Sequence, residues 1–154
     1  MAALDWFESL ARLRIRVAAL QDAIDEAYAQ AGPKGHQLGS IGGTGRGDPL
    51  AGIDAMLDAD ATAELDRARG RLHARMGYAT AVLYGRSGRG GLAKLTSTDD
   101  ADMLCYHYLQ GESWASIGRR YCPESSNLTT WAERHAVRVC RVIDRAGMDA
   151  LADS

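Results

Sequence analysis

Apolar or small side chains recur at Trp6, Leu10, Leu13, Val17, Leu20, Ile24, Ala27 and Ala31, four and three residues apart in alternation. Only an α-helix gathers such positions on one face, and the alternation is that of a coiled-coil seam. Arg12, Arg14, Arg16, Asp22, Asp25 and Glu26 fall off that seam. A second run, Leu50, Ile53, Leu57, Ala61, Leu65, Ala68, Leu72, Met76, Ala79 and Leu83, advances in the same steps of three and four. Two helices of this length dominate a chain of 154 residues, so the fold class is all-α. Residues 1–84 are expected to form a long-helix hairpin in which each stripe covers the other. The same seam can instead join two copies of the chain as a homodimer through the N-terminal helices, and the spacing does not separate these readings.

The helix ends are also written in the sequence. Gly32-Pro33 predicts a stop at Ala31. The segment 32–47, GPKGHQLGSIGGTGRG, has seven glycines in sixteen residues and reads as a loop. Its GGTGRG fragment follows no strand and lacks the GxxxxGK[ST] spacing, which weighs against a nucleotide cradle. Asp48 suits an N-cap and Pro49 the first helical position. Residues 85–91, GRSGRGG, open a glycine-rich linker, 85–97, whose Arg86 and Arg89 are able to touch phosphate. Ser97-Thr98-Asp99-Asp100 then caps a third helix with acids in its first turn, and Met103, Leu104, Tyr108 and Leu109 supply its apolar face.

Composition narrows the function classes. Apolar residues are 46% and charged residues 25% of the chain, ordinary for a soluble globular protein. No run is apolar enough to span a membrane, and Asp5 and Glu8 stand where a secretory signal carries positive charge, so a cytoplasmic protein is expected. Cys105, Cys122 and Cys140 form an odd set without a CxxC pair, which predicts free, buried thiols in place of a disulfide framework or a zinc site. There is no nucleophile elbow, paired-carboxylate motif or metal-ligand spacing, so no enzyme, cofactor or metal is expected. The net charge of −2 argues against nonspecific coating of nucleic acid. Yet residues 113–148 carry six basic groups against three acidic, which directs the search for an anionic partner there.

That stretch reads ESWASIGRRYCPESSNLTTWAERHAVRVCRVIDRAG from Glu112. A short helix over 113–121, a connection through Cys122-Pro123-Glu124 and a longer helix capped by Ser125 or Ser126 and running to Ala146 make a helix-turn-helix pattern. Trp114, Ile117, Tyr121 and Leu128 would form its small core, with Gly118 where the helices approach. Leu128, Ala132, His135, Val139, Val142 and Ala146 define the expected buried face of the long helix, with His135 a hydrogen-bonded, partly buried residue. At about 100° per residue from Leu128, Arg134, Arg138, Arg141 and Arg145 fall near about 240°, 280°, 220° and 260°. Asn127 and Thr130 share that side.

These residues suit major-groove chemistry. Ser126, Asn127, Thr129, Thr130 and Arg134 are the candidates for base contact, Asn suiting adenine and Arg guanine. Arg119, Arg120, Arg138, Arg141 and Arg145 are the candidates for the DNA backbone. Glu133 can accept from cytosine or repel phosphate.

The run Tyr108-Leu109-Gln110-Gly111, then Ser113-Trp114-Ala115-Ser116-Ile117-Gly118, then Leu128 and the register from Arg134 to Val139, resembles region 4 of bacterial sigma factors over residues 98–148. With its seam helix, glycine loop, second long helix and this module, the whole chain looks like small phage and prophage proteins that include ArpU-type transcription regulators. The resemblance implies binding of double-stranded DNA and control of phage genes, with RNA polymerase as a candidate partner. Nothing resembles the sigma regions that melt DNA. Two other readings remain from the sequence: a DNA-packaging adaptor of the small terminase type, and a helix-turn-helix that contacts protein.

Overall fold

The first seam forms a helix, and that helix runs further than its sequence predicts. In a computed structural model describing the backbone of residues 1–38 and 49–154, and the side chains of 1–30 and 59–154, α1 spans Ala2–Leu38. The stop predicted at Ala31 does not occur. Proline's own φ is helical, and the clash it imposes falls partly on the Cβ of the preceding residue, which Gly32 lacks. The GGTGRG fragment and Asp48 lie outside the described residues.

Helix α2 spans Pro49–Tyr84, beginning at the proline that favours a first helical position. Shorter helices follow: α3 Gly91–Leu95, α4 Thr98–Leu104, α5 Trp114–Tyr121, α6 Leu128–Ala146 and α7 Met148–Ala152. Ser97 caps α4, its hydroxyl accepting from the Asp100 N–H at 3.1 Å. The chain continues from α4 through a wider π-type turn, Cys105–Leu109, and leaves it at Gly111 with φ +82°. Among the described residues no strand occurs, and no helix is long and apolar enough to cross a membrane.

Packing divides the chain into two units, Met1–Arg14 with Leu72–Ser154, and Ile15–Arg71. In the first, the start of α1 runs antiparallel to the end of α2. Trp6 meets Tyr78 edge-on at 5.3 Å, and Arg75 lies over the Trp6 ring at 5.1 Å while donating to Ser9 Oγ at 2.7 Å. Phe7 and Leu10 are fully buried with Leu83, Leu92, Leu104 and Ile143. Each such side chain contributes about 1.5–3 kcal/mol. Ala3 and Phe7, off the predicted seam, are buried because α1 also faces the later helices. Its Ala3 N–H donates to Asp144 Oδ1 at 2.8 Å. A smaller cluster of Met103, Ile117 and Ala132 joins α4, α5 and α6.

Within residues 85–97, which have the composition of a linker, Gly85, Gly90, Gly91 and Leu92 are buried, while Arg86 to Arg89 are exposed. The Gly91 N–H donates to Ser154 Oγ at 2.6 Å and the Gly90 N–H to Tyr84 O at 2.8 Å. At Gly91, with φ +63°, a Cβ would lie 2.6 Å from the Gly85 nitrogen. Arg86 pairs with Asp153 at 2.8 Å. These glycines answer to close backbone approach, which composition cannot tell from chain freedom. The chain beyond Gly147 also folds back: Leu151 and Ala152 are buried, and Tyr78 donates to Asp149 at 2.6 Å. Burial and then that carboxylate push the Tyr78 phenol up to about 12. All three cysteines are free, but only Cys140 is buried, and burial pushes its thiol up to about 12.

In the second unit Val17, Leu65 and Ala68 are buried, and Arg16 pairs with Glu64 at 2.9 Å. Arg69 also donates to Gln21. Leu20 and Ile24 are half-buried and Ala27 is exposed, so the seam is covered progressively less along α1. The side chains of Ala31, Leu50, Ile53 and Leu57 lie outside the described residues.

Candidate nucleic-acid interface

The approach to α5 is held by a local network. His107 Nδ1 donates to the Glu112 carbonyl at 2.7 Å, and its ring stacks on Trp114 with centroids 3.6 Å apart. Burial pushes this imidazole below its usual range, so it serves as a neutral strut. Ser113 then caps α5, accepting from the Ser116 N–H at 3.1 Å. Ile117 and Gly118 are the buried residues of α5. A Cβ on Gly118 would overlap the Leu128 backbone, so glycine here is the condition for α5 and α6 to meet. Leu128 itself is only half-buried, and Met103 and Ala132 fill the cluster around Ile117 in its place.

The connection Cys122–Asn127 turns back through a Ser125 N–H to Cys122 O bond of 3.0 Å. The sequence predicts Ser125 or Ser126 as the cap of α6. Asn127 takes that position, Oδ1 accepting from the Thr130 N–H at 3.0 Å, while Ser125 Oγ accepts from the Asn127 N–H at 3.3 Å. Both residue types are good caps, and the turn through Pro123 places the cap one residue beyond Ser126 and two beyond Ser125.

The buried face of α6 also differs from its prediction. Ala132, Ala136, Val139, Cys140 and Ile143 are buried, whereas His135, Val142 and Ala146 are half-buried. The centre of burial is turned by about 60° from the predicted stripe, at about 100° per residue. Two neighbours cause this: α6 meets α5 and α4 along Ala132 and the first-unit core along Ala136, Cys140 and Ile143. The turn has a consequence for charge. Arg134, Arg138, Arg141 and Arg145 are all exposed, and the stripe's mean direction is opposite the burial direction to within about 10° on the same helical arithmetic.

The predicted contact residues separate into groups. Ser126, Asn127, Thr130, Arg134 and Arg138 line one depression of about 360 Å³ together with Ser125 and Trp131. Arg134, Arg138 and Arg141 line a second, about 500 Å³, with Glu133 and Val137. Thr129 is exposed but does not border either, and on the wheel it lies about 150° from the arginines. Arg145 continues the stripe beyond both depressions. Arg119 is exposed on α5. Arg120 is engaged within its own unit, pairing with Glu112 at 2.9 Å and lying 4.4 Å over the Tyr106 ring.

Two participants escape the sequence reading. Trp131 forms a wall of the first depression and stacks on His135, centroids 5.3 Å apart and planes 19° from parallel. The signal for it is the four-residue spacing of two flat side chains on one helix. Asp100, from α4, accepts from His135 Nε2 at 2.6 Å. Desolvation pushes the Asp100 carboxyl up, but its hydrogen bonds with His135, Thr96 and Ser97 together outweigh that and hold it below the usual aspartate range.

Comparison with protein-family models, curated proteins and solved structures finds no match for this chain. The chemistry of the α6 face therefore stands on its own residues: a row of guanidinium donors, a polar helix start beside it, and two carboxylates, Glu133 and Asp144, between the arginines and the apolar side.

Proposed function

We propose that this chain is a sequence-specific binder of double-stranded DNA that regulates transcription, with α5 and α6 as a helix-turn-helix and α6 laid in the major groove. The observation that carries this reading is the direction of the arginine stripe, opposite the buried face of α6 and beside its polar N-terminal end. Arg134 to Arg145 cover about 16 Å along the axis at about 1.5 Å per residue, comparable with a major groove about 12 Å wide. Arg138, Arg141 and Arg145, with Arg119 from α5, are suited to phosphates, which give register and salt-dependent affinity. Ser126, Thr130, Arg134 and the amide nitrogen of Asn127 are suited to base edges. Asn127 Oδ1 is already engaged as the helix cap, which leaves the amide nitrogen as the group to reach a base edge. The resemblance of residues 98–148 to sigma region 4, and of the chain to phage and prophage regulators, supports promoters of that kind as targets.

The test is DNA binding by the full chain against salt, using a pool of promoter fragments and sequencing those retained. The expected result is a discrete motif and a slope of log K on log salt of about −4 to −5, as for about five neutralised phosphates at about −0.9 each. No binding at low salt refutes the reading and favours a protein-contacting module. A ring of roughly eight or more copies in solution favours a packaging adaptor.

A further inference from the structure

His135 lies between a buried-side acid and the DNA-facing side of α6. Its Nε2 is 2.6 Å from Asp100 Oδ1, and its Nδ1 is 3.2 Å from the Arg138 guanidinium. Arginine has only donors to offer, so Nδ1 must accept, and the imidazole proton sits on Nε2, directed at Asp100. Each bond thus selects the other: the carboxylate fixes the tautomer, and the tautomer leaves a lone pair for Arg138. The ring cannot swing away freely because it stacks on Trp131, and Asp100 is itself held by the Ser97 cap of α4. Arg138 lines both depressions on the α6 face.

We propose that Asp100 and His135 are positioning residues that set the Arg138 guanidinium for a DNA phosphate, a role that rests on the DNA-binding reading above. A long exposed arginine loses rotamer freedom when it grips a phosphate. A relay anchored in α4 removes part of that freedom beforehand. Asp100 thereby strengthens the binding of an anion although it is itself an anion. Plain Coulomb attraction predicts the reverse, tighter DNA binding when Asp100 is neutralised.

The opposite signs make the test. The full chain and its Asp100→Ala, Arg138→Ala and doubly substituted forms are titrated onto a mixed-sequence duplex over a range of salt, with circular dichroism melting to verify folding. The relay predicts that each single change reduces the magnitude of the salt slope by up to about 0.9, one phosphate's share. That share is about eightfold in affinity at 0.1 M salt relative to 1 M. The double change should lose no more than Arg138→Ala alone. His135→Phe, which keeps a flat ring over Trp131 but has no nitrogen, should lose the same amount and covers the case in which Asp100→Ala fails to fold. Nitrogen-15 spectra of the free protein should place the His135 proton on Nε2.

Tighter binding by Asp100→Ala, additive losses in the double form, or a proton on Nδ1 alone overturns the relay while leaving the DNA reading intact. Failure of the unsubstituted chain to bind the duplex at low salt overturns the DNA reading, and the phosphate role of Arg138 falls with it.

Discussion

Gly118 lies so close to Leu128 that a Cβ at position 118 would overlap the Leu128 carbonyl oxygen and stand 2.8 Å from its carbonyl carbon. Backbone cannot rotate out of the way as a side-chain end can, so the α5–α6 crossing is set by this contact. Gly118→Ala is expected to cost about 1–3 kcal/mol as an overpacked site. That corresponds to a fall in Tm of about 3–10 °C for a chain of this size, read by thermal melting. A Tm unchanged or raised would show that α6 shifts without penalty.

The exposed arginines and the polar start of α6 should behave differently on DNA. Arg141→Ala, and Arg145→Ala separately, should weaken binding by a similar factor on all sequences and reduce the salt slope by about 1. Thr130→Ala should change the ranking of sequences. Asn127 needs a cleaner substitution, since Asn127→Ala also removes a cap worth about 1 kcal/mol. Asn127→Asp keeps the capping oxygen and removes the amide donor, so altered sequence preference at unchanged Tm assigns base contact to the amide. Uniform weakening in the Thr130 variant contradicts base reading there.

Asp100 makes stability fall in acid. Its folded-state carboxyl sits below the ordinary aspartate range, so the stabilisation is present at neutral pH and is lost as pH drops from about 4 through the folded value. The stability difference between the unsubstituted chain and Asp100→Asn, measured by urea denaturation, should be largest at neutral pH and shrink as the pH falls through the folded-state value, which lies below the ordinary aspartate range. A difference that widens in acid has the wrong sign.

Gly91, after α2, should tolerate no side chain. Gly91 has φ +63° and meets the Gly85 nitrogen, the Leu83 carbonyl carbon and the Tyr84 nitrogen at 2.6–2.7 Å from a built Cβ. Gly91→Ala should therefore destabilise more than Gly118→Ala, and Gly88→Ala, with open space around it, should be limited to the cost of its positive φ, about 1–2 kcal/mol. A Tm for Gly91→Ala equal to that of the unsubstituted chain would refute this close approach.

Cys140 provides a probe of the first-unit core. With its thiol fully buried and pushed up to about 12, it should resist a thiol reagent at pH 8 until the unit unfolds, because only thiolate reacts. Cys105 and Cys122, half-buried, should react earlier.

The helical class, the Ser97 cap, the start of α2 at Pro49 and the tight approach at Gly118 are legible in the sequence, because each depends on spacing or on one residue's local chemistry. A period of 3.6 residues needs no neighbour to be recognised. The exposed arginine stripe of α6 is legible for the same reason, as four long cations at helical spacing.

Only the tertiary structure decided which part of each helix is covered. Periodicity gives a stripe but not the partner that claims it, so the buried side of α6 turned towards Ala136, Cys140 and Ile143 once α5 and the first-unit core shared it. Composition likewise could not show that Gly85, Gly90 and Gly91 pack against Ser154, or that α1 continues past Pro33. The Asp100–His135–Arg138 line was unreadable for the plainest reason: its first two members are 35 residues apart. Local propensity acts within a few residues, whereas a hydrogen bond between α4 and α6 exists only after the core has placed both helices.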